Sequence, residues 1–292
     1  MIREIRAKTI INRVSGIDTY FGLDYGMNLY RGCQHHCIYC DSRSLCYGIE
    51  DFDGEVLIKT NAIDLLRDEL SRKRKKGIIG TGSMHDAYMP LEEKVRLTRR
   101  ALEAIADYGF GVHVVTKSDL VLRDIPILKK ITRFHTAAVS LTITTIDDEL
   151  SKKIEPGAPP SSARFRALKE LCDAGLETRI ALMPTLPFIE DTQENIVGIV
   201  EEAHRFGVKA IVPWFGMSMR DRQRSHFYCK LDELFPGLKA RYVETYGEAY
   251  NCPSPNADGL YKRFHELCAK YGISTSVKPY LVPSAAQPEL FD

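Results

Sequence analysis

The chain has 292 residues, of which 44% are hydrophobic and 27% are charged, close to the averages of globular proteins. These values exclude a disordered, collagenous or coiled-coil chain, and no apolar run approaches the ~20 residues of a membrane span. The formal net charge of +1 singles out no polyanionic partner for the molecule as a whole. The first residues mix basic and acidic side chains and do not resemble a secretory signal, so we expect a cytoplasmic protein without membrane attachment.

Short β-rich runs alternate with longer amphipathic segments, which is the pattern of parallel strands joined by helices. Helical segments end at a glycine shortly before the next strand, a common C-terminal stop. The pattern predicts an α/β fold, a partial (β/α)6 TIM-type barrel with a helical C-terminal extension, and leaves an open doubly wound sheet as the alternative. The predicted strands cover residues 27–30, 77–80, 111–116, 137–143, 177–183 and 208–213, and the predicted helices cover residues 61–75, 91–108, 161–174 and 192–206.

Three regions follow from this pattern. We predict an N-terminal segment at residues 1–20, the barrel at residues 21–215 and the extension at residues 216–292. The extension is tyrosine-rich, with predicted helices at residues 223–234, 238–249 and 256–271 and a short run at residues 274–278.

Three of the eight cysteines lie close together in the segment NLYRGCQHHCIYC, as Cys33, Cys37 and Cys40. Thiols at this spacing can wrap one corner of a cuboidal iron–sulfur cluster, where each thiolate binds one iron and the fourth iron stays open. The alternative is a structural zinc site that adds His35 or His36. Zinc sites usually split their ligands into two separated pairs, which disfavours this alternative.

The CxxxCxxC spacing, with aromatic Tyr39 before its last cysteine, resembles that of the radical S-adenosylmethionine (SAM) superfamily. The segments GTGSMHDAYMPLE, VVTKSD, VSLTIT and EPGAPP resemble the spore photoproduct lyase-like branch, also called the DNA repair photolyase-related group. The resemblance implies a 4Fe-4S cluster on the three cysteines, SAM chelated at the open iron and a 5′-deoxyadenosyl radical that abstracts hydrogen. It also implies a reducing electron donor such as flavodoxin or ferredoxin as a partner.

The same resemblance implies contacts to SAM along the chain. Tyr39 would lie beside the adenine, and Lys117 would pair with the SAM carboxylate as a point charge. Ser83 and His85 stand where the superfamily often carries a Gly-Gly-Glu motif, and they are the candidates to face the cofactor. Ser140 is a candidate for the ribose or carboxylate, the alternative being a barrel-lining hydroxyl bonded to the backbone.

The substrate stays open at this stage. Spore photoproduct lyase has a cysteine hydrogen donor where this chain has Ser83, and a tyrosine where it has Asp41, so thymine-dimer reversal is disfavoured. Cys229 and Cys252 are weak candidates for a hydrogen donor, and with Cys268 they are candidates for an auxiliary cluster.

Local basic segments bear on the class of substrate. Arg220, Arg222 and Arg224 are interleaved with aromatic residues and are candidates to line the mouth of the site. A nucleic-acid lesion is therefore a candidate substrate, although near-zero net charge does not favour it. The alternatives are a peptide- or metabolite-modifying radical SAM enzyme and a non-catalytic, zinc-stabilised binding module.

Overall fold

The computed structural model of the chain describes residues 1–82 and 84–276. Ser83 and the last two residues of the predicted run 274–278 lie outside them. The strands are β1 (Ile2–Ile5), β2 (Ile11–Arg13), β3 (Tyr25–Met27), β4 (Tyr30–Arg31), β5 (Val56–Lys59), β6 (Ile78–Thr81), β7 (Gly111–Thr116), β8 (Ala137–Thr142), β9 (Glu177–Leu182), β10 (Ala210–Pro213), β11 (Gly216–Ser218) and β12 (Asn251–Pro253).

The helices occupy the connections between strands and most of the C-terminal region. They are α1 (Ala62–Arg72), α2 (Glu92–Val95), α3 (Leu97–Asp107), α4 (Ile125–Ile131), α5 (Asp148–Ile154), α6 (Ser161–Asp173), α7 (Gln193–Arg205), α8 (Asp221–Leu234), α9 (Leu238–Tyr246) and α10 (Ala257–Tyr271).

A seven-stranded sheet, called the main sheet below, has the order β10-β9-β8-β7-β6-β3-β2. Its strands pair in parallel from β3 to β10, and β2 pairs antiparallel with β3 at one edge. Six parallel strands therefore follow one another across the sheet in chain order. A doubly wound sheet reverses this order midway, so the main sheet has the succession of consecutive β/α units that the sequence predicts.

The main core lies between this sheet and its helices. Val112 and Val114 of β7 and Val139 and Leu141 of β8 are fully buried, and α3 turns Leu102 and its neighbours toward them. Strands buried on both faces are expected to be apolar along their whole length, as the sequences of β7 and β8 largely are.

The helix predicted over residues 91–108 is wrong in one respect, because it is two helices. Arg96 has φ 53°, in the left-handed region, and breaks the helix between α2 and α3. The buried carboxylate of Glu92 accepts hydrogen bonds from the backbone N–H of Thr98 (3.0 Å) and Arg99 (3.4 Å). It thus satisfies N–H groups at the start of α3 that a continuous helix would have bonded internally.

Sequence periodicity did not predict a second, three-stranded sheet with the order β1-β5-β4. β1 pairs in parallel with β5, and β4 pairs antiparallel with it. The N-terminal residues thus contribute one strand to this small sheet and another, β2, to the main sheet.

Helices α8 and α9 and the β11–β12 pair form a smaller core of their own, whereas α10 packs in the main core. Met217, Met219, Phe227 and Tyr242 pack there with Ile38, which lies in residues 28–42 around the three clustered cysteines, called the cysteine segment below. This region therefore covers one side of the cysteines. No helix of the described residues is long and apolar enough to cross a membrane.

Candidate active site

A cavity of about 240 Å³ lies at the carboxyl ends of the parallel strands. Gly82 after β6, Lys117 after β7, Thr142 of β8 and Trp214 after β10 line its walls. This end of a parallel sheet is where ligands bind in α/β folds, because the connecting loops bring polar groups together there. The cysteine segment closes one side of this cavity, called the cysteine cavity below. Its lining residues are Cys33, His35, Cys37, Tyr39, Cys40, Asp41 and Ser42.

All three clustered cysteines are free thiols that face this cavity. Burial raises the pKa of Cys33 to about 12 and also raises the pKa of Cys37 and Cys40. A buried thiolate without a compensating cation is unfavourable, and coordination to iron provides that compensation. The donor set therefore fits a 4Fe-4S cluster, in which each thiolate binds a different iron.

Backbone contacts with the loop after α5 hold the cysteine segment in place. Gly157 N–H donates to the carbonyl of His35 (2.9 Å), and Ile38 N–H donates to the carbonyl of Ile154 (2.9 Å). A Cβ at Gly157 would lie 2.1 Å from the Gln34 carbonyl oxygen. Only glycine allows this close approach of two backbones, which explains the glycine of the EPGAPP segment.

A buried ion-pair network lies behind the cysteines. Glu155, 1% exposed, accepts from Arg164 (2.5 Å) and from the hydroxyl of Tyr39, and lies 3.8 Å from Lys117 Nζ. Burial by itself would raise the pKa of Glu155, but Arg164 and Lys117 hold it below the usual range. Burial would lower the pKa of Lys117, but Cys37 and Glu155 raise it above its ordinary value. The cavity wall therefore keeps a fixed ammonium group.

Asp86 connects the cysteine segment to β7. Its carboxylate accepts from Thr116 Oγ1 (2.5 Å), from the backbone N–H of Lys117 (2.7 Å) and from that of Tyr88 (2.8 Å). Nε2 of His35 lies 3.2 Å from the same carboxylate. Burial would raise the pKa of Asp86, but His35, Thr116 and the Tyr88 N–H hold it well below the usual range. Asp86 thus stays ionised and positions the cysteine segment against the end of the strand.

The predicted SAM contacts lie at two depths. Tyr39, His85 and Lys117 line the cysteine cavity, whereas Ser83 lies outside the described residues. Burial lowers the pKa of His85 to about 3, and its Nδ1 has no hydrogen-bond partner within residues 1–82 and 84–276. Ser140 is fully buried in β8 and its hydroxyl lies 2.7 Å from Nε2 of His113, below the residues that line the cavity.

The remaining predicted cysteines lie on three different elements. Cys229 is exposed on α8, Cys252 is buried on β12 opposite Met217, and Cys268 is buried on α10 in the main core. The described lining of the cysteine cavity includes none of these three. In the part of the chain that the structure describes, no three His, Cys, Asp or Glu side chains are placed to share a single metal ion; in a 4Fe-4S cluster, Cys33, Cys37 and Cys40 would each bind a different iron.

The three arginines predicted at the mouth of the site bind backbone and neighbouring side chains. Arg222 donates to the Ile49 carbonyl (2.8 Å), and Arg224 donates to the Gly247 carbonyl (2.6 Å). Arg220 Nε lies 3.3 Å from Asp41 Oδ1. Arg220 and Arg222 thus hold the start of α8 against residues 41–50, whereas Arg224 bonds within the C-terminal region.

Sequence reasoning missed several functional neighbours of the cysteines. No short-range pattern in the sequence indicates that Glu155 pairs with Arg164 and Lys117, or that His35 pairs with Asp86. The EPGAPP segment, which contains Glu155, was the one signal that pointed to this part of the chain.

The family model of the radical SAM superfamily matches residues 27–197. An uncharacterized protein of Methanocaldococcus jannaschii is 37% identical over 199 residues, which cover 68% of this chain and 72% of that protein. An uncharacterized protein of Mycobacterium tuberculosis is 28% identical over 282 residues, covering 94% of this chain and 82% of that protein.

Solved structures of spore photoproduct lyase share the fold. A mutant with a tyrosine-to-phenylalanine substitution aligns with a TM-score of 0.71 at 14% identity, over 94% of this chain and 81% of that chain. A double mutant with bound AdoMet and dinucleoside spore photoproduct aligns with a TM-score of 0.71 at 13% identity, over the same shares.

Proposed function

Because this chain belongs to the radical SAM superfamily, we propose that Cys33, Cys37 and Cys40 bind three irons of a 4Fe-4S cluster and that SAM binds at the fourth. When bound, the cluster supplies one electron that cleaves SAM into methionine and a 5′-deoxyadenosyl radical, which abstracts hydrogen from a substrate carbon. The observation that carries this proposal is that three free thiols face one cavity at the carboxyl ends of the main sheet.

The protein's part in this chemistry is to place and shield the reacting groups. Lys117 offers a fixed ammonium to the SAM carboxylate, and Glu155 keeps that ammonium charged and oriented. The ring of Tyr39 lines the cavity, with its hydroxyl tied to Glu155, so its face can pack against the adenine. Neutral His85 offers one ring nitrogen to a polar group of the cofactor.

Ser83 and Ser140 remain in the proposal as secondary contacts. Ser83 follows Gly82, which lines the cavity. Ser140 bonds His113 below the cavity floor, where it supports the wall more directly than it reaches SAM. Cys229 and Cys252 would return a hydrogen atom to the product radical only if they faced the cavity, and neither is among its described lining residues.

Two residues that line the cavity indicate which class of substrate it suits. Trp214, the one tryptophan of the chain, and buried Met217 present an aromatic and apolar surface. Such a surface suits a planar or apolar group, which a nucleobase lesion and a peptide side chain both provide. The likeness to the fold of spore photoproduct lyase makes a nucleic-acid lesion the first substrate to test. Oligonucleotide affinity that falls steeply with salt supports it, while a flat salt dependence favours a peptide or metabolite.

The proposed function is tested by comparing two cysteine variants purified without oxygen. Cys37→Ala should lose bound iron and sulfide and form no 5′-deoxyadenosine from SAM under reducing conditions. Cys172→Ala is the matched control, because that thiol lies on α6 next to Thr178, away from the cavity. Retained SAM cleavage by Cys37→Ala, or loss in both variants, would contradict the assignment of the cluster.

A further inference from the structure

A second pocket of about 390 Å³ lies next to the cysteine cavity. Met84 lines this pocket, while its chain neighbour His85 lines the cavity, so the two lie close together. Four cationic side chains line the second pocket, called the cationic pocket below, and its described lining contains no Asp or Glu. They are Arg6, Lys8, Arg31 and Lys59.

The small sheet brings these four cations together. β1 and β5 run in parallel with Ile5 opposite Lys59, so Arg6 and Lys8, which follow β1, emerge beside the end of β5. β4 lies on the other side of β5, with Arg31 opposite Leu57. Strand pairing therefore converts three distant segments into one concave cationic surface.

No carboxylate of the described residues compensates these cations. Among residues 1–82 and 84–276, Arg6, Lys8 and Arg31 form no ion pair, and the half-buried Lys59 ammonium donates to the Asn28 carbonyl (2.6 Å). Burial and neighbouring Arg31 lower the pKa of Lys59. Like charges gathered in a concave surface repel one another, and an anion supplied from outside relieves that repulsion.

The cationic pocket lies beside the cysteine segment. Arg31 is two residues before Cys33, and consecutive Cα atoms are about 3.8 Å apart, so these two Cα atoms lie within about 8 Å of each other. A partner seated in the pocket is therefore close to a ligand of the proposed cluster. Short distance matters because electron transfer between proteins weakens steeply as the donor and acceptor separate.

We propose that the cationic pocket docks an acidic electron-transfer protein that reduces the cluster. The donor is oxidised by one electron and the cluster is reduced by one electron, and no group is transferred. Exposed Arg6 and Lys8 stand at the rim and half-buried Lys59 stands deeper, so carboxylates projecting from a protein surface can meet cations at both levels. This inference rests on the proposed function.

The test compares two double charge reversals in the holoenzyme, with a flavodoxin of net negative charge as the probe. Arg6→Glu/Lys8→Glu should lower the rate of cluster reduction by reduced flavodoxin about tenfold or more at low salt, and should weaken its binding measured by calorimetry. Arg13→Glu/Arg74→Glu makes the same change in net charge in a different pocket, beside the start of β3, and should change both quantities less than twofold.

Dithionite separates failure of the docking surface from failure of the proposed function. Arg6→Glu/Lys8→Glu should cleave SAM with dithionite as fast as the wild type. Wild-type protein that does not cleave SAM with dithionite overturns the proposed function, and the docking proposal with it. Equal losses in both double variants, unchanged reduction by flavodoxin in Arg6→Glu/Lys8→Glu, or no reduction of the wild type by flavodoxin overturn the docking proposal alone.

A nucleic-acid surface is the competing use of the same cations. Its signature is a loss of single-stranded oligonucleotide binding in Arg6→Glu/Lys8→Glu with reduction by flavodoxin unchanged. That result would also overturn the docking proposal.

Discussion

The cysteine cavity and the cationic pocket are neighbours, because His85 lines the cavity and Met84 lines the pocket, yet their charged groups are compensated differently. In the cavity, Lys117 pairs with Glu155, and Asp86 is held by His35 and by backbone N–H groups. In the pocket, the described lining offers four cations and no carboxylate. The charged groups of the cavity wall are therefore paired within the protein before any substrate binds, as a preorganised active site requires. The cations of the pocket are paired only when an anion from outside binds.

The largest expected effect comes from removing the carboxylate that pairs with the buried cations of the cavity wall. Glu155→Ala leaves Arg164 and Lys117 buried without their carboxylate, and should lower the free energy of unfolding by about 3–5 kcal/mol. Urea denaturation of the cluster-free proteins measures it. Glu149→Ala, which removes an exposed carboxylate of α5 paired with Lys152, should cost less than about 1 kcal/mol. If Glu155→Ala lowered the free energy of unfolding as little as Glu149→Ala does, Glu155 would not be the carboxylate that compensates Arg164 and Lys117.

A smaller effect is expected on the binding of SAM. Lys117→Met removes the cavity ammonium, and because a charged hydrogen bond contributes about 1.5–3 kcal/mol, the Kd for SAM should rise about tenfold to a hundredfold. Equilibrium dialysis measures the Kd, and the fluorescence of Trp214, which lines the same cavity, gives a second readout. Lys169→Met, at an exposed pair with Asp173 on α6, should leave the Kd unchanged. A shift below twofold for Lys117→Met would assign the SAM carboxylate to another group.

The smallest expected effect tests the uncompensated pocket. Lys59→Met loses no ion pair among the described residues, but it loses the hydrogen bond from the ammonium to the Asn28 carbonyl, so the free energy of unfolding should fall by about 0.5–1.5 kcal/mol. Burial and Arg31 lower the pKa of Lys59 on folding, so just below the ordinary lysine pKa the unfolded chain binds more protons than the folded one. The free energy of unfolding of the wild type therefore increases there as the pH rises. Relative to wild type, Lys59→Met should therefore lose stability as the pH rises toward ~10.4, the ordinary pKa of lysine.

Thermal or urea unfolding across that pH range measures the difference, with Lys8→Met at the exposed rim of the same pocket as the control. A difference that grows in favour of Lys59→Met with rising pH would show that a partner within the chain already compensates the ammonium.

Much of the main sheet could be predicted from local patterns. The strands β7 and β8 begin where the sequence predicts, because their apolar runs are buried on both faces and bounded by turn residues. The helix over residues 91–108 could not be predicted correctly. The break at Arg96 depends on the buried carboxylate of Glu92, which accepts a hydrogen bond from a backbone N–H at the start of α3. Packing around Glu92, rather than local helix propensity, decides between this arrangement and a continuous helix.

The small sheet and its pocket could not be predicted from local sequence patterns either. β4 is two residues long and β1 is mostly exposed, so neither shows the alternation of a half-buried strand. Their pairing with β5 is what gathers Arg6, Lys8, Arg31 and Lys59.

The sequence by itself determined the superfamily, the cysteines proposed as ligands and the alternation of strands with helices, because these depend on spacings within a few residues or on period. Only the tertiary structure decided which charges compensate one another. Tyr39 and Glu155 are 116 residues apart in the chain, and their contact depends on how the loop after α5 docks against the cysteine segment. Charge compensation acts through space over a few ångströms, so it is determined by strand register and loop docking, which no local pattern encodes.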